Sequence, residues 1–145
     1  MVQGFSAGGH LAASYGMFWS EPFLAEAVGV PTEMLKPNGM ILCYPVITSG
    51  EFAHRGSFEN VMGKKAVEGC ECTGLSGSEL EAKLSLENQV TKQVPPVFMW
   101  HTFEDGAVPL ENSLLFAEAL RKAGVKFEYH VFPNGGHGYS LGTKE

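Results

Sequence analysis

Three short stretches of this sequence carry residue types that can do chemistry together. Gly4-Phe5-Ser6-Ala7-Gly8 satisfies the pattern G-x-S-x-G, in which a serine occupies a strained turn between a strand and a helix and small neighbours let the backbone close around it. The strain exposes the hydroxyl. The backbone N–H of Ala7, at the start of the following helix, would point where an oxyanion forms, aided by the helix dipole. Far along the chain, Asp105 follows an apolar run and precedes Gly106-Ala107-Val108-Pro109, which sets a carboxylate at the C-terminal end of a strand. Ligands of open α/β sheets bind at that end. Asn134-Gly135-Gly136-His137-Gly138 then puts an imidazole on a glycine-flanked loop. Serine as nucleophile, histidine as general base and aspartate as the group that orients the histidine make an acyl-transfer site, and their order along the chain is one that such sites use.

Competing readings exist for each part. The first stretch also reads as a glycine-rich turn entering a helix. Glu104 competes with Asp105, and the shorter side chain, two residues before Ala107, suits the loop better, leaving Glu104 to face solvent. His10, one helical turn past the serine, His54 in a loop, His101 at a strand end and His130 inside a strand are read as structural, since most histidines satisfy local hydrogen bonds. Cys70-Glu71-Cys72 could offer two thiolates to a metal, but a zinc knuckle wants C-x2-C and a second pair. No metal and no cofactor is expected.

These groups need a scaffold. Ala7, Leu11, Tyr15 and Phe18 recur at helical spacing directly after the serine. Met40-Ile41-Leu42-Cys43-Tyr44, closed by Pro45, and Val97-Phe98-Met99-Trp100 are short apolar runs that suit strands buried on both faces. Between them lies an excursion of about residues 50–86, with a glycine- and serine-rich part from Gly69 to Ser78 and a capping box predicted at Ser78-Glu79-Leu80-Glu81. Phe116, Leu120 and Ala123, with Arg121 and Lys122 in the last turn and Gly124 beyond, give the clearest helix. Lys126 to Phe132 gives a last strand, with Phe127, Tyr129 and Val131 on one face, ended by Pro133-Asn134-Gly135. Strands alternating with helices predict an α/β fold: a mostly parallel sheet with helices on both faces, in one domain over 1–145.

The composition limits the function classes. With 145 residues, 44% hydrophobic and 18% charged, the chain can bury a core. A net charge of −6 without Lys/Arg clusters argues against nucleic acid and against an anionic membrane, and leaves a small neutral or weakly charged molecule as the expected partner. Three cysteines, two of them separated by a single residue, argue against a disulfide framework and fit a reducing, cytoplasmic setting. No apolar run approaches the ~20 residues of a membrane span, and Met1 to Ser6 has no leader character.

Taken together, G-F-S-A-G-G-H-L-A-A-S from Gly4, W-H-T-x-x-D-x-x-V-P-x-E-N-S-L-L-F-A-E-A-L from Trp100 and G-G-H-G-Y-S-L-G from Gly135 resemble the acetyl-esterase and feruloyl-esterase-like branch of the α/β-hydrolases, often labelled xylanase or acetylxylan esterase. The resemblance is weakest between about Gly63 and Ser78. It implies a serine esterase acting on small acyl esters, acetylated carbohydrates among them, with Ser6, Asp105 and His137 catalytic and Ala7 as oxyanion donor. Members of that branch carry several strands and a His-Gly-Gly oxyanion loop ahead of the elbow. The chain therefore reads as the C-terminal half of such a fold, without a second oxyanion donor, whose loss typically costs about 2.7–4 kcal/mol of transition-state stabilisation. On this reading the strand at Met40 to Tyr44 is left at an exposed apolar edge, through which the chain could self-associate. A catalytically silent piece of a longer esterase is the alternative from another class. A serine peptidase of the prolyl-oligopeptidase type, which shares the triad order, is the alternative enzyme.

Overall fold

The computed structural model describes residues 1–63 and 74–140. Four strands, β1 (Val2–Phe5), β2 (Met40–Cys43), β3 (Val97–Thr102) and β4 (Phe127–Phe132), form one sheet in the order of the chain. All neighbours are parallel, with Gly4 opposite Leu42, Leu42 opposite Met99 and Met99 opposite Tyr129. Each parallel step needs a crossover. The first is made by helices α1 (Ala7–Phe18), α2 (Pro22–Val28) and α3 (Thr32–Leu35); the second contains α4 (Arg55–Met62), α5 (Gly77–Leu84) and a 3-10 turn at Leu86–Asn88; the third is α6 (Glu111–Ala123). No described helix is long and apolar enough to cross a membrane.

The main core lies on one face of the sheet. Ala12, Ala13 and Met17 of α1 and Phe116 and Leu120 of α6 close over Met40 and Leu42 of β2, Val97 and Met99 of β3, and Leu86. The residues that alternate with them, Gln3, Ile41, Cys43, Phe98, Trp100, Thr102 and Phe132, line an open groove of about 560 Å³ on the opposite face. Among the described residues the helical cover expected from the sequence is thus seen as α1 and α6 on one face. A second cluster of Val46, Phe58 and Val108 joins the excursion to the loops that follow β2 and β3.

Several boundaries follow the sequence closely. The last helix ends at Gly124, which takes the left-handed conformation (φ 73°) and donates its N–H to the carbonyls of Leu120 and Arg121. Others depart from it. Among the described residues the edges of the sheet are β1 and β4, not the strand at Met40: Val2 to Phe5 pairs along β2 and makes β2 an interior strand. The elbow motif implies a strand ahead of Ser6, but four residues with a glycine among them carry too little periodicity to show its pairing. The capping box sits two residues earlier than predicted, with Ser76 as N-cap accepting from the Glu79 N–H and the Glu79 carboxylate accepting from the Ser76 N–H. Both Ser76 and Ser78 have a glutamate three residues on, and Leu75 preceding Ser76 is where a helix entry commonly places an apolar residue. Helices α2, α3 and α4 carry no buried residue besides Phe58, so no apolar stripe announced them. Cys70 and Cys72 lie outside the described residues.

One polar side chain ties the second and third crossovers together. Asn112, in the first turn of α6, is fully buried. Its Oδ1 accepts from the N–H groups of Ile47 (2.9 Å) and Thr48 (3.1 Å), and its Nδ2 donates to the carbonyls of Phe52 (2.9 Å) and Pro109 (3.0 Å). Replacing it by alanine strands two buried amides, at about 1–3 kcal/mol each. Urea denaturation of Asn112→Ala is expected to show a stability loss of about 2–5 kcal/mol; a loss under about 0.5 kcal/mol would contradict this role.

Candidate active site

Ser6 links β1 to α1 in the conformation that the motif requires. Its backbone has φ 53° and ψ −122°, a region costly to any residue with a side chain. The position is enforced from several sides: the Ser6 N–H donates to the Cys43 carbonyl (3.0 Å), and the Ser6 carbonyl accepts from the N–H groups of Gly9 (2.9 Å) and Val46 (3.1 Å). Gly4 lets this turn close. A Cβ there would lie 2.0 Å from the Gly8 carbonyl oxygen, a clash with backbone that no side-chain adjustment relieves. A serine at an N-cap usually bonds to the helix N–H groups, yet this one makes no side-chain cap bond. Its Oγ lies 2.8 Å from His137 Nε2 instead.

Asp105 stands three residues past β3. Its Oδ1 accepts from the N–H groups of Ala107 (3.0 Å) and Val108 (2.9 Å), an Asx-type turn that fixes the carboxylate with its own chain. Its Oδ2 is left to face His137 Nδ1 at 2.7 Å. A glutamate would overshoot these amides, which is the physical reason for the shorter acid here. The side chain has no solvent exposure. Burial pushes the Asp105 carboxyl up, but the hydrogen bonds from His137, Val108 and Ala107 outweigh it and hold the group below the usual carboxylate value. With Asp105 ionised, the Nδ1–H of His137 donates to the carboxylate and Nε2 is free to accept from Ser6 Oγ.

The loop after β4 that carries His137 is held at three points. Glu104 is exposed, as expected, but its Oε2 accepts from the Gly135 N–H (3.1 Å), so it props this loop. Thr102 Oγ1 donates to the Gly136 carbonyl (3.4 Å). Tyr44 packs edge-on against the His137 ring at 4.9 Å between centroids, and its hydroxyl accepts from the Ser140 N–H (3.0 Å). Tyr44 itself has a positive φ of 38°.

The structure therefore brings Ser6, His137 and Asp105 into one hydrogen-bonded chain, with Ala7 at the first helical position. The N–H groups there have no acceptor within the helix. Beside Ala7 opens a cavity of about 540 Å³ walled by Leu11, Val46, Phe58, Val61 and Leu84. A model described as the prolyl oligopeptidase family matches residues 65–145, more than half of the chain. The chain belongs to the prolyl oligopeptidase family.

Its relatives and structural neighbours within and around this family are hydrolases by name. The chain is 37% identical over its whole length to endo-1,4-beta-xylanase B of Butyrivibrio fibrisolvens, covering 21% of that protein. Over 98% of its length it is 31% identical to the acetylxylan esterase of Xylanibacter ruminicola, covering 26% of it. The crystal structure of an acetyl ester-xyloside bifunctional hydrolase from Caldicellulosiruptor lactoaceticus superposes with a TM-score of 0.78 and 42% identity, over 97% of this chain and 48% of that one. The chain thus spans about a fifth to a quarter of the curated relatives and about half of the solved one. Similarity to a solved α/β-hydrolase from a deep-sea metagenome (29% identity, TM-score 0.58, 98% of this chain and 41% of that one) agrees with the four-stranded parallel sheet and its helices. The fold is α/β-hydrolase.

The other histidines of this prolyl oligopeptidase family chain lie outside that relay. His10 is buried and its Nε2 donates to the Leu84 carbonyl (2.8 Å), fastening α1 to the excursion. His54 Nδ1 pairs with Ser57 Oγ, and His130 with Glu128 at the surface. His101 is different: it is fully buried and its Nε2 lies 3.2 Å from Asp105 Oδ2. Sequence reasoning missed Tyr44 and His101 as neighbours of the site; their positions at the ends of β2 and β3 were the available signal. Phe103 and Tyr139 are 70% and 56% exposed, and Tyr139 lines the groove on the open sheet face.

Burial pushes His10 and His101 below the ordinary histidine value of 6.5. The unfolded chain then takes up protons that the folded chain refuses, so stability falls as pH drops below 6.5. The Asp105 contribution has a lower window: it is present above the ordinary carboxyl value of 3.8 and is lost as pH falls through the depressed folded value. Unfolding free energy measured from about pH 7 to about pH 5 is expected to decline, and to decline less in His10→Gln, whose amide can still donate to Leu84. Equal slopes in the two proteins would contradict a neutral buried His10.

Proposed function

We propose that the protein is a serine carboxylic-ester hydrolase acting on small acyl esters, acetylated carbohydrates in particular. The observation that carries the proposal is the relay Ser6 Oγ to His137 Nε2 (2.8 Å) and His137 Nδ1 to Asp105 Oδ2 (2.7 Å), built on a strained serine at a helix N-terminus. Ser6 Oγ attacks the ester carbonyl carbon as its proton passes to His137 Nε2, and Asp105 stabilises the imidazolium that forms. The carbonyl electrons collect on an oxyanion to which the Ala7 N–H donates. Collapse expels the alcohol, which takes its proton from His137, and leaves an acyl group on Ser6. Water then enters by the same route and releases the acid. No cofactor is needed for either step.

Two features favour uncharged, small groups. The cavity next to Ala7 has mainly apolar walls, and the net charge of −6 offers no general attraction to anions. The carbohydrate side of the proposal rests on the relatives named acetylxylan esterase and acetyl ester-xyloside hydrolase. The family description favours a second reading, cleavage of peptide bonds by the same relay. Parallel assays with p-nitrophenyl acetate and with a peptide amide separate the two.

Ser6→Ala is expected to lower ester turnover about 10⁴-fold or more and Asp105→Asn by about 10³–10⁴-fold. Glu104→Gln should stay within about threefold, because its amide oxygen can still accept from the Gly135 N–H. Retained turnover in Ser6→Ala, or equal losses in the two acid variants, would overturn these assignments.

A further inference from the structure

We propose that His101 is a positioning residue for this site, a second imidazole set against the Asp105 carboxylate that holds Oδ2 toward His137. Its effect on rate rests on the hydrolase reading above; its placement rests on geometry alone. His101 lies on β3 with no exposed surface. Its Nε2 is 3.0 Å from the Val108 carbonyl oxygen and 3.2 Å from Asp105 Oδ2. Both oxygens only accept once Asp105 is ionised, so that nitrogen carries a proton. Its Nδ1 is 2.8 Å from Ser113 Oγ, a hydroxyl that can donate to it. The neutral Nε2–H tautomer therefore satisfies all three neighbours with a single ring proton. Burial favours that neutral form, against the opposing pull of the Val108 carbonyl and Asp105, and with a further push from His137.

The arrangement divides labour between the two imidazoles. Asp105 Oδ1 is taken by the Ala107 and Val108 N–H groups and Oδ2 by the Nδ1–H of His137, with the Nε2–H of His101 3.2 Å from Oδ2 and shared with the Val108 carbonyl. His101 adds a donor without adding a charge, so it fixes the direction of Oδ2 without competing for the proton that His137 must hold. Val108 is used twice, its N–H on Asp105 and its carbonyl on His101, which closes the turn into a ring. Ser113 anchors the far side of the imidazole to α6. A hydrophobic replacement removes one donor from a buried carboxylate and leaves the Val108 carbonyl without its partner.

The test is ¹⁵N-edited NMR of the imidazoles in the whole protein, beside steady-state ester hydrolysis, for wild type, His101→Leu, His101→Gln and Ser113→Ala. Wild-type His101 is expected to be the neutral Nε2–H tautomer across the neutral range, with a low-field Nδ1 proton on His137. In His101→Leu that His137 resonance should shift or broaden, and kcat/KM should drop at least about tenfold, mostly in kcat. His101→Gln, which keeps an N–H donor, should recover most of both. Should His101→Leu fail to fold, Ser113→Ala serves: loss of the donor to Nδ1 is expected to mix the His101 tautomers and perturb the same His137 signal. An Nδ1–H tautomer for wild-type His101, or an unchanged His137 resonance in the folded variants, overturns the proposal. A wild-type protein that hydrolyses no ester yet shows the expected resonance changes overturns the hydrolase reading and supports the positioning role.

Discussion

A carboxylate with no access to water must have its oxygens met by donors, or it gives up its charge. Asp105 meets that condition with three N–H groups drawn from its own turn and the loop after β4, with the His101 imidazole at the end of β3 standing 3.2 Å from Oδ2. Much of the site follows from satisfying this one group. The Asx-type turn sets the entry into α6, the contact with His137 draws the last loop across the sheet edge, and the imidazole so held presents its other nitrogen to Ser6. The rest of the third crossover supports the same point, since Asn112 at the start of α6 also binds the loop that follows β2.

The second constraint is the serine's backbone. A φ of 53° with a ψ of −122° is sustained only where neighbours over-determine it. Here the amide of Ser6 extends the β1 to β2 ladder while its carbonyl is claimed by the first turn of α1 and by Val46. The close approach at Gly4 belongs to the same device. Ser6 also forgoes the side-chain cap that its position would ordinarily supply, a bond typically worth about 1 kcal/mol to a helix, and the hydroxyl is left for His137. Parallel pairing carries Ser6 and the ends of β3 and β4 to one side of the sheet, so residues 131 positions apart come within hydrogen-bond distance.

How much of this was legible in the sequence depends on how far each contact reaches. The elbow, the αL end at Gly124 and the apolar runs of β2 and β3 are local, set by residue types within a few positions. They were readable. β1 was legible only through the elbow, which sets a strand ahead of the serine, since four residues carry no period of their own, and α2 and α3 bury no apolar stripe that a period could reveal. The preference for Asp105 over Glu104 had a local cause in side-chain length. Glu104 reaching back to Gly135, Tyr44 packing on His137 and His101 touching Asp105 arise between crossovers, and a histidine at a strand end looks the same whether its neighbour is a solvent-facing loop or a buried carboxylate.

On the proposed mechanism His137 makes Ser6 nucleophilic. A fluorophosphonate probe reacts with an activated serine hydroxyl, and mass spectrometry locates the modified residue. Labelling at Ser6 that disappears in His137→Ala is the expected result. A folded protein that takes up no probe, or takes it up elsewhere, would contradict this role of His137.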